Sequence, residues 1–195
     1  MLSVDDVVLD RAAYAAARPA RRAAAIALRL GRRLHLGDLV TVEVENLETL
    51  RYQAQEMLHA EGITDEGLAA EELAAYERLL PHADSFTATL MIEIPDQDRV
   101  KDELVRLQGL HTSLALEVDG RRYPAVDVPP PDEVTSERTF SVHFLRFRLD
   151  QDAVAALAAG SPGRLVVQHP EYTASTVLPE ALGKDLAAEM TAAAS

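Results

Sequence analysis

The stretch from Leu39 to Glu61 constrains the fold most, because its hydrophobic period changes within a few residues. Valines alternate with polar residues from position 40 to position 45, which is the pattern of a strand with one buried face. Asn46 can cap a helix, and the apolar period then becomes that of a helix. The sequence therefore predicts a strand that runs directly into an amphipathic helix.

The polar face of this helix has an unusual composition. An exposed helix face normally carries Lys and Glu, whereas this one offers hydrogen-bonding and ligand groups. Glu56 and His59 also match the Glu-x-x-His spacing of di-iron carboxylate bundles, but the sequence holds no second copy. We therefore expect mainly a polar face that packs under the amino-terminal helices, with ligand binding as the alternative. The ligand-binding candidates on this helix are Tyr52, Gln53, Gln55 and Glu56.

A second candidate group lies on later strands. His143 stands within the apolar run 140–149, and an apparent repeat offset of 54 residues aligns it with Thr89. Thr89, Glu93 and His143 are therefore expected to share one sheet face. A carboxylate beside an imidazole suits acid–base catalysis or metal binding, although structural roles for both remain the alternative.

Any metal is predicted to use Glu56, Glu93 and His143, where the helix face meets this sheet face. No other cluster combines donors, acceptors and a group that titrates near neutrality. Four other histidines stand beside turn or strand-end residues and are expected at the surface: His35, His82, His111 and His169.

Charge restricts the classes of partner. The 195 residues carry a net charge of −13, which argues against binding of nucleic acid by the body of the protein. Residues 1–36 hold seven arginines against three aspartates, so this segment is basic and the remainder strongly acidic. The arginines of this arm are expected to lie against carboxylates of the body. Exposed ion pairs contribute little, so most of the docking is expected to come from apolar contacts of Ile26, Leu28 and Leu30. An external anionic partner is the alternative.

The chain contains no cysteine, which excludes disulfides, thiolate-bound clusters and thiol nucleophiles. Its start lacks the pattern of a signal peptide, and no apolar run approaches the roughly 20 residues that span a bilayer. We expect a cytoplasmic protein without membrane contact. No cofactor is identified by the sequence.

The order of elements predicts one α+β domain. The amino-terminal arm (1–36) is helical, with Pro19 interrupting it, and residues 37–80 form a strand and a helical hairpin. Residues 86–128 and 140–178 read as two βαββ repeats, each with an Asp-Gln-Asp helix start. A Pro129–Pro131 linker joins them, and a last helix and tail occupy 179–195. The expected architecture is a mostly antiparallel sheet with helices on one face.

Three motifs resemble a bacterial family known only as a domain of unknown function, DUF3501. They are YQAQEM (Tyr52–Met57), ATLMIEIPD (Ala88–Asp96) and VHFLRF (Val142–Phe147), and the likeness also covers ARPARR and GRRLHLG. It extends to about Leu149 and is looser beyond. The resemblance implies no catalytic residues. It does imply a redox setting, since such proteins are often encoded beside a rubrerythrin and an iron–sulfur oxidoreductase.

The sequence is therefore consistent with two functions. The first is a soluble binding or accessory protein for a redox or oxidative-stress system, with a partner from that rubrerythrin and iron–sulfur group. The alternative is a metal-dependent enzyme with a Glu/His site. Common signatures of hydrolases, nucleotide enzymes and zinc domains are absent from the sequence, which favours the first.

Overall fold

A computed structural model describes residues 2–128 and 139–194. The chain divides into two compact units. The first comprises Met1–Arg32 and Glu45–Leu80, and the second comprises Arg33–Val44 and Pro81–Ser195. The predicted strand and the helix that follows it therefore belong to different units.

The first unit is helical. After a 3-10 turn at Val4–Asp6 come α1 (Arg11–Leu30), α2 (Leu47–Glu61) and α3 (Glu66–Glu77). Asn46 caps α2, its side chain accepting from the Thr49 backbone N–H, and Gly62 ends the helix in the left-handed region. The predicted helical hairpin of α2 and α3 is confirmed.

The amino-terminal helix differs from expectation in two respects. It continues through Pro19 as one helix, because alanine-rich flanks are strong enough helix formers to tolerate one lost backbone hydrogen bond. Its buried residues are Tyr14 and Ala25, whereas Ile26 is 51% and Leu30 is 76% exposed. The prediction that apolar residues dock the helix is therefore wrong for Ile26 and Leu30, whereas Leu28 is half-buried.

The second unit is built on one antiparallel sheet of eight strands in the order β1-β2-β3-β6-β5-β4-β7-β8. The Tyr172 hydroxyl donates to the Leu36 carbonyl (2.5 Å) and accepts from the Leu39 N–H (3.1 Å), so the edge strands β8 and β1 meet and the sheet nearly forms a barrel. The strands are β1 Arg33–Leu36, β2 Val40–Val44, β3 Ser85–Ile92, β4 Leu114–Val118, β5 Arg121–Asp127, β6 Val142–Arg148, β7 Gly163–His169 and β8 Tyr172–Val177.

Three α-helices belong to the described part of this unit: α4 (Val100–Arg106), α5 (Gln151–Ala159) and α6 (Glu180–Ala192). Their apolar sides and alternate strand residues form one core. None of the described helices is both long and apolar enough to cross a membrane. Fully or nearly fully buried core residues include Val42, Phe86, Leu90, Leu145, Phe147, Leu186 and Met190.

The mixed α and β composition and the antiparallel sheet are confirmed. The chain order β3-α4-β4-β5 followed by β6-α5-β7-β8 matches the two predicted βαββ segments. Asp96 caps a short 3-10 helix that leads into α4, whereas Asp150 caps α5 directly. The Pro129–Pro131 linker lies outside the described residues.

The register of β3 and β6 corrects one expectation about the site. His143 pairs with Leu90, and both therefore lie on the core-facing side of the sheet with Leu145. Thr89 points to the opposite side. The prediction that Thr89, Glu93 and His143 share a face is wrong, because a repeat offset along the chain does not fix the register between the paired strands.

Candidate metal centre

Glu56, the strongest carboxylate candidate on α2, is held by its neighbours on α1. It accepts from the Tyr14 hydroxyl (2.6 Å) and from the Arg18 guanidinium (2.6 Å at Oε2). The hydrogen bonds from Arg18 lower the pKa of Glu56 to about 2; burial opposes this shift, and Tyr14 adds to it. Burial, together with this hydrogen bond, raises the pKa of Tyr14. The Arg18 pair confirms that an arginine of the arm contacts a carboxylate.

The other α2 candidates also have partners within the first unit. Gln55 accepts from the Val8 N–H (2.6 Å) and donates to the Val8 carbonyl (3.1 Å), while Gln53 donates to Glu45 (2.9 Å). Tyr52 lies 5.6 Å below the Arg29 guanidinium. These contacts explain the polar helix face structurally. Ligand binding by these residues stays a prediction.

Glu93 belongs to a separate network in the second unit. It accepts from Arg33 (2.7 Å) and from the Thr41 hydroxyl, whose oxygen lies 3.1 Å from Nδ1 of His35. The side chain of Glu93 is 47% exposed. An imidazole does approach this carboxylate through Thr41, but it belongs to His35 and not to the expected His143.

His143 instead joins two residues that the sequence did not single out as ligands. Asp127 at the end of β5 pairs with Leu145 on β6, and His143 is on the same side two residues earlier. His111 comes from the 3-10 helix Leu110–Ser113, whose fully buried Leu110 fixes it against the core. The two strands and this short helix thus bring two imidazoles and one carboxylate together.

The three side chains are close enough to share an ion. Nε2 of His111 lies 3.1 Å from Oδ2 of Asp127, and Nδ1 of His143 lies 4.0 Å from Oδ1. The imidazoles are stacked, with centroids 4.0 Å apart and planes inclined by 11°. One ligand atom of each residue lies within 4.8 Å of the others. The side chains of His143 and His111 are 9% and 17% exposed, while that of Asp127 is 45% exposed and opens the cluster to solvent.

The protonation of His143 determines what this cluster can bind. Its Nε2 lies 3.0 Å from the Phe140 carbonyl oxygen, which can only accept, so the proton of the neutral ring belongs on Nε2. Burial, followed by the neighbouring His111, lowers the pKa of His143 to about 4, although Asp127 opposes the shift. At neutral pH the lone pair on Nδ1 therefore faces a carboxylate oxygen. A cation between the two removes that repulsion.

The donor set fits a divalent transition metal. Zinc lies about 2.0–2.2 Å from imidazole nitrogen and carboxylate oxygen, and two histidines with one carboxylate also hold non-haem Fe²⁺. Binding requires the ligand atoms, which lie within 4.8 Å of one another, to move closer together and the stacked rings to tilt until both lone pairs point at the ion. The buried Nδ1 of His111 has no hydrogen-bond partner among the described residues, which is a further sign that a ligand belongs at this cluster.

His111 was expected at the surface and Asp127 was not considered, so the sequence reasoning missed two of the three residues. One signal was available. Tyr123, Ala125 and Asp127 alternate on β5, and the first two are buried, so Asp127 occupies a core-facing position of the strand. A carboxylate at such a strand position is a candidate ligand or catalytic group.

The fold and this cluster define a class of α+β protein: a nearly closed eight-stranded antiparallel sheet with a His–Asp–His group at one end of its core-facing side. The chain belongs to the family described as protein of unknown function (DUF3501), whose profile matches residues 2–190. The resemblance is confirmed and extends well beyond Leu149.

One solved structure covers almost the same chain. It is a crystal structure of a novel protein of unknown function from Burkholderia pseudomallei, 33% identical, with a TM-score of 0.87. The match spans 96% of this chain and 98% of that one. No curated protein matches this chain.

Proposed function

We propose that this protein is a metal-dependent enzyme whose ion is a divalent first-row transition metal held by His111, Asp127 and His143. The observation that carries the proposal is that one ligand atom of each of the three residues lies within 4.8 Å of the others, with Nδ1 of His143 4.0 Å from a carboxylate oxygen of Asp127. This ligand set replaces the one expected from Glu56, Glu93 and His143.

The composition of the site supports chemistry more than a structural role. Structural zinc sites usually close four ligands around the ion and favour thiolates, whereas catalytic sites often use three nitrogen and oxygen ligands and leave positions for water or substrate. Three such ligands occur among the residues that the structure describes. A metal bound there would lower the pKa of its water or polarise a bound oxygen.

The direct test is a titration of the full-length, chelator-treated protein with Co²⁺ and Zn²⁺, followed by calorimetry and absorption, and with Fe²⁺ under anaerobic conditions. One equivalent of metal should bind per chain. His143→Ala and Asp127→Asn should each abolish saturable binding, because each removes a ligand atom. His82→Ala removes an exposed imidazole outside the cluster and is the matched control.

Two results would overturn the proposal. One is the absence of saturable binding for all three metals in the wild-type protein. The other is binding that persists unchanged in both ligand variants while circular dichroism shows an intact fold. Loss of binding in His82→Ala alone would also overturn the proposal, because it would place the metal outside the cluster.

The accessory role in a redox system with rubrerythrin and iron–sulfur partners, like the cytoplasmic location, stays a prediction from sequence and resemblance. A metal at this site is compatible with a redox system. The chain contains no cysteine, so a bound metal would supply the redox chemistry that thiols supply in other proteins.

We also infer that β3-α4-β4-β5 and β6-α5-β7-β8 are two copies of one unit. In support, β3 pairs with β6 and β4 pairs with β7, so exchanging the two segments preserves these contacts. Superposition of the two segments in a crystal structure tests the inference. Helices α4 and α5 on non-equivalent sides of their strands would contradict it.

A further inference from the structure

Thr139 contacts the metal centre without being one of its ligands. Its side chain is buried, the residue being 4% exposed, and its hydroxyl oxygen lies 2.7 Å from Nε2 of His143. The backbone N–H of Thr139 donates to the Leu104 carbonyl on α4 (3.3 Å), which fixes the residue beside the core. Two oxygens, from Thr139 and from the Phe140 carbonyl, therefore approach the same imidazole nitrogen.

We propose that Thr139 is a positioning residue whose hydroxyl holds the ring of His143 with Nε2 toward the Phe140 carbonyl and Nδ1 toward the metal site. The inference rests on the proposed function and deepens it. Histidines that bind metals commonly donate their other ring N–H to an oxygen acceptor, which orients the ring and strengthens the ligand.

The two tautomers of His143 differ sharply in the hydrogen bonds that they allow. With the proton on Nε2, the ring donates toward two oxygens at 2.7 and 3.0 Å. With the proton on Nδ1, the Nε2 lone pair faces the Phe140 carbonyl oxygen, and the 4.0 Å distance from Nδ1 to Asp127 is too long for a hydrogen bond. The Thr139 hydroxyl can donate as well as accept, so it can bond Nε2 in either tautomer and hold the ring. The Phe140 carbonyl can only accept, and it therefore favours the first tautomer.

The Thr139 hydroxyl is the nearer of the two oxygens at Nε2, so its removal should loosen the orientation of the His143 ring. Thr139→Val has almost the same shape but no hydroxyl, whereas Thr139→Ser retains the hydroxyl. Thr173→Val makes the same change at an exposed position on β8 and is the control. Thr139→Val should weaken Co²⁺ affinity about 10–100-fold, as expected for loss of such a contact. Thr139→Ser and Thr173→Val should stay within about threefold of wild type.

The tautomer itself can be read without any metal. Nitrogen-15 NMR of imidazole-labelled, metal-free protein distinguishes the two forms, and His143→Ala assigns the signal. Wild type, Thr139→Ser and Thr139→Val should all show the Nε2–H form, because the Phe140 carbonyl remains beside Nε2 in each.

Failures of the two claims are distinguishable. A predominant Nδ1–H form in the wild-type protein overturns the positioning role alone. An unchanged Co²⁺ affinity in Thr139→Val overturns it as well. A wild-type protein that shows the Nε2–H form yet binds no Co²⁺ overturns the proposed function, and with it the link from Thr139 to a metal.

Discussion

The bond from Tyr14 to Glu56 should stabilise the first unit measurably, and a double-mutant cycle can isolate it. Tyr14 is 1% exposed, so Tyr14→Phe keeps the packing of the ring and removes only the hydroxyl that lies 2.6 Å from Glu56. Glu56→Gln keeps the shape of the acceptor and removes its charge. The double variant completes the cycle.

The magnitude follows from the burial of the two partners. Hydrogen bonds to charged groups contribute about 1.5–3 kcal/mol, and the 24% exposure of the Glu56 side chain favours the lower end. A neutral glutamine still accepts a bond of roughly half that strength. We therefore expect Tyr14→Phe to cost about 1.5 kcal/mol and the coupling between the two sites to be about 1 kcal/mol.

Urea unfolding at pH 7 measures each corner of the cycle. The pH dependence supplies a second test, since the pKa of Glu56 is lowered from 4.5 to about 2 in the folded protein. A lowered folded-state pKa contributes stability that is present above pH 4.5 and is lost as the pH falls from there toward 2. The cost of Glu56→Gln should shrink over that range. A coupling below about 0.3 kcal/mol, or a cost independent of pH, would refute this reasoning.

Two further experiments test packing, a pair of glycine substitutions in the second unit and a deletion in the first. Gly37 has φ +69°, and an added Cβ would lie 2.5 Å from the Tyr172 hydroxyl oxygen, so Gly37→Ala should cost about 2 kcal/mol or more in urea unfolding. Gly120→Ala, with φ +77° and open space around it, should cost only about 1 kcal/mol; equal costs would contradict the contact at Tyr172. Deleting residues 1–30 removes the buried Tyr14 and the Val8 partner of Gln55, and an unchanged melting temperature would contradict their structural role.

Local patterns were sufficient to predict most elements. The alternating valines of β2 and the cap at Asn46 depend on neighbouring residues only, and both are found as predicted. An Asp-Gly pair between alternating runs is typical of a short hairpin, and Asp119 and Gly120 both adopt positive φ where β4 joins β5. These features are encoded within a few residues, so a single sequence reveals them.

The site depended on information that such patterns do not contain. His111 and His143 are 32 positions apart in the sequence, and their stacking follows from the register of β5 and β6 and from the placement of one short helix. Glu56 is a carboxylate that could bind a metal, yet it accepts hydrogen bonds from Tyr14 and Arg18, which give it a structural role. Which polar residues meet was therefore decided by tertiary contacts, which the hydrophobic period does not specify.

The position of a bound metal tests the central claim most directly. Crystals of the Co²⁺-loaded protein should give one anomalous difference peak per chain at the cobalt edge, about 2.0–2.2 Å from Nδ1 of His143, a nitrogen of His111 and a carboxylate oxygen of Asp127. A fully loaded protein with no peak among these three side chains, or with its peak beside Glu56 or Glu93, would contradict the account.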